Sequence, residues 1–89
     1  MNEKQTQNKI LKFLKKEEVF AYKHIVTNIN GIPDIVFLKG GIVIWVEVKG
    51  PKGVVSFLQK YQMDRILNGG GKAFVVRSFE EFLEIYKDL

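Results

Sequence analysis

The chain has 89 residues, 46% of them hydrophobic and 27% charged, with two prolines and no cysteine. This describes a single small folded domain without disulfides, thiol nucleophiles or thiolate zinc sites, in keeping with a reducing interior. The net charge of +4 and the pI of about 9.4 suit a polyanionic partner, although a solvated lysine surface is the commoner origin of such a charge.

In chain order, Ile10, Phe13 and Leu14 share one face of a helix expected over 3–18, with Lys9, Lys12, Lys15 and Lys16 elsewhere. Glu3 and Gln7 prolong that stripe by two turns, which reads as a fraying end leaving the core. Residues 19–27, with Val19, Phe20, Tyr22, Ile25 and Val26, read as a strand. Asn28 to Pro33 is a loop of turn formers, and Pro33 holds Ile32 extended before Asp34. Ile35 to Leu38 is a second strand, Gly40-Gly41 a tight turn, and Ile42 to Lys49 a third strand, apolar on both faces and therefore central. Gly50-Pro51-Lys52-Gly53 breaks it.

Ser56 and Gln59 form a capping box at the start of the next helix, with Phe57, Leu58, Tyr61, Met63, Ile66 and Leu67 as its apolar face. Asn68 and Gly69 to Gly71 end it. Ala73 to Val76 is a short buried strand reached by a helical crossover, a parallel neighbour of the preceding strand. Ser78 caps a last helix carrying Phe79, Phe82, Leu83 and Tyr86, whose aromatics suit core packing. The expected fold class is α/β, in the order helix, three strands, helix, strand, helix, with a mixed sheet flanked by helices. No apolar run approaches the ~20 residues of a membrane helix and no signal-peptide core is seen, so the expectation is a soluble intracellular protein.

If Gly40-Gly41 is the turn, Lys39 pairs with Ile42 and Asp34 falls opposite Glu47. Opposed residues on one sheet face have Cβ atoms ~4.5–5.5 Å apart, and two like charges at that spacing call for a cation. Hard oxygen ligands with open positions suit Mg²⁺ or Mn²⁺, and the backbone carbonyl of Val48 can add a ligand. Lys49 lies two residues beyond Glu47 on the same strand face, placed to orient a water or to stabilise charge on phosphorus. Separately each motif is weak: Glu and Lys two apart on a strand often form a solvated pair of little energetic weight. Together they require an aspartate at a strand start, Glu-x-Lys near the next strand's end, and a turn that aligns them. Gly69-Gly70-Gly71-Lys72 lacks the first glycine and the Ser/Thr of a phosphate loop. One histidine, His24, excludes multi-histidine zinc sites, and no Gly-x-Ser-x-Gly elbow exists.

Pro33-Asp34 followed by Glu47-Val48-Lys49 resembles the PD-(D/E)xK nuclease signature. With Gly31-Ile32-Pro33-Asp34-Ile35, Gly50-Pro51, Ser56-x-x-Gln59 and Glu3-x-x-x-Gln7, it resembles the VRR-NUC (virus-type replication-repair nuclease) branch over nearly the whole chain, 1–89 as one domain. The resemblance implies Mg²⁺- or Mn²⁺-dependent hydrolysis of DNA phosphodiesters, with no organic cofactor and no membrane. By motif match, Asp34 and Glu47 hold the metal, Lys49 serves the attacking water, Gln59 supports the site and Glu3 adds an outer acidic contact. Gln59 has a competing use in the capping box, and Gln7 and Gln62 rank lower. Compact members of the family are typically encoded by phages or found in bacteria, and they are similar in layout to Holliday-junction resolvases, which act as homodimers on branched DNA. Phosphate contacts are expected from Lys52 first, then Lys23, His24 and Lys60, with Arg65 further off. Trp45 reads as a packed aromatic. A non-catalytic nucleic-acid-binding module on the same scaffold is the alternative, and an oligomerisation domain with an accidental acidic pair the third reading.

Overall fold

The computed structural model describes residues 1–89. Helix α1 (Glu3–Lys16) precedes β1 (Ala21–Lys23), β2 (Ile35–Lys39) and β3 (Ile42–Val48), then α2 (Phe57–Asn68), β4 (Lys72–Val76) and α3 (Phe79–Tyr86). The sheet order is β1-β2-β3-β4, antiparallel except for the parallel β3–β4 pair, so β3 is central as its two apolar faces require. Lys39 pairs with Ile42 across the Gly40-Gly41 turn, where both glycines take positive φ, as a two-residue hairpin on twisted strands demands.

Period-two alternation gives the sheet two unlike faces. Ile35, Phe37, Ile44, Val46, Val48 and Val76 point to one side and close a dry core with Ile10, Leu14 and Phe82 of α1 and α3. Phe13 sits edge-on to Phe79, Phe82 and Tyr86, so the aromatics of α3 serve the core. The other face carries Val36, Trp45 and Glu47, and is covered by α2 over its β4 side.

Four expectations change. Gln7 is buried with Thr6, so the start of α1 does not fray; Asn2 and Gln5 close a capping box there, worth about 1 kcal/mol. The strand expected over 19–27 shrinks to Ala21–Lys23. The His24 N–H still donates to the Asp34 carbonyl, at 2.9 Å, but β2 offers no partner beyond that point, and Ile25 and Val26 stand in solvent. Helix α1 stops at Lys16, and Glu18 turns the chain with φ 59°. The apolar face foreseen for α2 is absent: Phe57 is 85% exposed, Leu58, Tyr61 and Leu67 are exposed too, and the one buried residue is Gln62. The apolar residues of α2 are spread around its circumference, so no single stripe can be buried.

Candidate active site

The β2–β3 register runs Ile35 with Val46, and one step further it sets Asp34 opposite Glu47. His24 extends the same row on one flank through its bond to Asp34, and Val75, the partner of Glu47 in β4, completes it on the other. Alternation places all of these side chains on the α2 face, together with Lys49.

The local geometry is built by short polar contacts. Asp34 Oδ2 accepts from the Val48 N–H at 2.9 Å, which ties the start of β2 to the end of β3. The N–H and C=O of one extended residue point to the same flank, so the Val48 carbonyl opens toward Asp34 as well. Glu47 is 3% exposed. Its Oε2 accepts from Gln59 Nε2 at 3.2 Å and lies 3.5 Å from Lys49 Nζ, while Oε1 is buried with no partner. Burial, and then the Asp34 carboxylate beside it, push the Glu47 carboxyl up to about 7, against the opposing pull of Lys49.

Gln59 fills both of the roles that competed for it. Its Oε1 accepts from the Ser56 N–H at 2.9 Å, its own N–H donates to Ser56 Oγ at 3.1 Å, and its Nε2 is left to reach Glu47. An amide has two ends, and the capping box uses only the oxygen. The helix start is thereby fastened to the acidic residue.

A divalent cation fits this donor set. Two carboxylates on one row, a buried carboxylate oxygen without a partner and a carbonyl on the same flank are hard oxygen donors short of positive charge. No group of three or more histidine, cysteine or acidic side chains gathers as a metal cluster, so protein carboxylates would fill only part of a coordination sphere.

Glu3 is exposed, and its Cγ lies beside Gly50, 3.8 Å from where a Cβ would stand on that glycine. Gln62 is buried but accepts from Arg65 Nη1 at 3.2 Å. Lys52 and Lys60 are exposed, on the 50–53 turn and on α2. Lys23 departs from expectation: it pairs with Ile35 and so projects to the α1 face, away from Asp34 and Glu47. His24 lies on the site face, stacked on Trp45 with centroids 5.2 Å apart and planes 7° from parallel.

Arg77 carried no signal in the sequence. Its Nη1 donates to the Gly50 carbonyl at 2.8 Å and the Gly53 carbonyl at 2.7 Å, holding the turn that follows Lys49. The Lys49 N–H donates to the Val76 carbonyl at 3.0 Å. Arg77 is therefore level with Lys49 on the neighbouring strand, a relation that appears only once the parallel register is known.

A four-stranded mixed sheet with two carboxylates, a lysine and a helix glutamine converging at one end is the architecture of an α/β nuclease-like domain. The family model described as the VRR-NUC domain matches residues 1–80, and the chain belongs to that family of nuclease-type domains. A solved structure described as a VRR_NUC domain superposes with a TM-score of 0.82 at 23% identity, over 96% of this chain and 94% of the other. The comparison with curated proteins finds no match. A nuclease-type domain implies nucleic acid as the partner, and no helix is long and apolar enough to cross a membrane.

Proposed function

We propose that this chain is a Mg²⁺- or Mn²⁺-dependent endodeoxyribonuclease that selects branched DNA. The observation that carries the reading is Glu47, a buried carboxylate facing Asp34 with one oxygen unpartnered, in a domain of net charge +4. Asp34, Glu47 and the Val48 carbonyl would hold the ion. When bound, it supplies charge neutralisation at the phosphate and a more acidic water. Lys49 sits where an ammonium can orient that water or stabilise charge on the phosphoryl oxygens, and it already contacts Glu47 at 3.5 Å. Gln59 keeps the Glu47 carboxylate turned into the site. Lys52 and Lys60 offer phosphate contacts around it, and Glu3, beside Gly50, is a candidate outer contact.

Branch selectivity and a homodimer belong to the same proposal. Paired incisions need two sites, and an uncovered apolar patch on the sheet supports self-association. Clean protein incubated with plasmid, linear duplex and a synthetic four-way junction tests the reading. Cleavage is expected with Mg²⁺ or Mn²⁺, none with chelator, and a loss of at least about 10²-fold in Asp34→Ala and Lys49→Ala with DNA binding retained. Binding of DNA without metal-dependent cleavage of any substrate would leave the non-catalytic binding module standing instead.

A further inference from the structure

Beside β2 lies an open hollow of about 360 Å³, lined by His24, Ile25, Val26, Asn30, Ile32 and Asp34. A second hollow of about 420 Å³ continues it beneath the same loop as far as Trp45. We infer that this cavity receives an unstacked nucleobase of the DNA strand bound at Asp34 and Glu47. The inference rests on the nuclease reading above and adds to it the feature by which a branch is told from a duplex.

The walls argue for a base rather than for backbone. Ile25 and Val26 are 82% and 88% exposed, and no charged side chain besides Asp34 lines the hollow. Branched aliphatic tips have nothing to gain from a phosphate backbone. They gain from the face of a base, which offers apolar area and is available only where stacking is broken. The size lies at the small end of the range for organic ligand sites.

Polar groups at the margin suit the edge of a base. Asn30 offers an amide and Thr27 a hydroxyl oxygen. The His24 ring is fixed on Trp45 and meets Tyr22 edge-on at 5.1 Å, so the wall is preformed. His24 and Asp34 are also neighbours across adjacent strands, so a nucleotide with its phosphate at the carboxylate pair has its base within one nucleotide's reach of the hollow. A continuous duplex keeps that base stacked, whereas a junction, a splayed end or a mismatch releases it at low cost.

The test uses the full chain and two DNAs of the same arms, a four-way junction and a matched duplex. Each carries 2-aminopurine at the branch position and is bound in Ca²⁺ so that binding is read apart from cutting. The expected result is a rise in 2-aminopurine fluorescence on junction binding and no change on the duplex. Ile25→Ser/Val26→Ser, altering two solvent-facing residues, should keep the melting temperature, abolish the rise and weaken junction binding about tenfold with duplex binding unchanged. A silent fluorophore with the wild-type protein, or equal effects of the double variant on both DNAs, overturns the inference. So does a double variant that changes only the oligomeric state, which would assign the two residues to a protein contact. Cleavage assays with Mg²⁺ judge the nuclease reading separately, since a cutting enzyme with a silent fluorophore keeps that reading and loses this one.

Discussion

At the scale of one residue, Glu47 shows why a site of this kind is costly to build. The carboxylate is buried, faces a second carboxylate, and is relieved only in part by Lys49 at 3.5 Å and Gln59 at 3.2 Å. Its carboxyl therefore titrates near 7 rather than near 4.5. A raised acidic group favours folding while it is protonated. Below about pH 4.5 it is protonated folded and unfolded and carries no penalty. Between 4.5 and about 7 the penalty grows, and above 7 it is complete, on the order of 3 kcal/mol at most. Relative to Glu47→Gln, the metal-free wild-type protein should lose melting temperature as pH rises from 5 to 8. Thermal melts of both proteins across that range check this, and parallel curves would show that Glu47 does not titrate there. A bound divalent ion competes with the same proton, so Mn²⁺ should stabilise the protein more at pH 8 than at pH 6, and Glu47→Gln should lose most of that stabilisation.

At the scale of elements, what could be read in advance separates cleanly from what could not. The hairpin register was legible because Gly40-Gly41 readily takes the positive φ of a two-residue turn, and that turn fixes the Asp34–Glu47 pairing. The caps at Ser56 and Ser78 were legible for the same local reason. Four features were not, because their causes lie in other elements. Lys23 turns to the α1 face through the parity of its pairing with Ile35. Helix α2 covers only the β4 side of the sheet, which leaves Phe57 in solvent. Arg77 reaches the Gly50 and Gly53 carbonyls across a parallel crossover of unknown register. Gly31 belongs with them: at φ 85°, a Cβ there would stand 2.9 Å from Leu58 Cγ, so the loop into Asp34 passes against α2 only with glycine.

The Arg77 clamp carries a prediction of its own. The 50–53 turn has no secondary structure, yet it follows Lys49 directly, and a Cβ on Gly53 would stand 3.3 Å from Lys49 Cδ. Removing the guanidinium strands the Gly53 carbonyl, leaves the Gly50 carbonyl only the Gly53 N–H at 3.1 Å, and loosens the turn beneath the lysine stem. Arg77→Ala should lower kcat by about tenfold or more with a smaller change in KM, because the ammonium is displaced while the groups that grip the DNA stay in place. Arg77→Lys, able to satisfy one carbonyl, should recover part of the rate. A pure stability effect would instead lower melting temperature with kcat per folded molecule intact, so single-turnover rates normalised to folded protein decide between them.

For the molecule as a whole, the unlike faces of the sheet say where the proposed homodimer contact would lie. The α1–α3 face is sealed by the core, and α2 covers the β4 side of the other face. What is left bare is the hairpin end of β1, β2 and β3, where Phe20, Leu38 and Val43 are exposed. Leu38 pairs with Val43, and the Leu38 N–H donates to the Phe20 carbonyl at 3.0 Å, so the three form one row. Tyr22 adjoins it, with its ring centroid 6.1 Å from that of Phe20. The row itself is apolar, with Arg65 at its Val43 edge, and domains this small commonly gain stability by burying such a surface in a partner. The row lies four strand positions, roughly 13 Å, from Asp34. A two-fold contact there would leave both carboxylate pairs open to DNA, as two incisions require. Leu38→Glu places a charge at the centre of the row on an exposed position, where the fold tolerates it. Light scattering after size exclusion should find the wild-type protein dimeric at micromolar concentration and Leu38→Glu monomeric, with nicking of plasmid retained and paired cutting of a junction abolished. A monomeric wild-type protein, or a Leu38→Glu variant that remains dimeric, would move the contact elsewhere or remove it, and coordinated incision would then need another source.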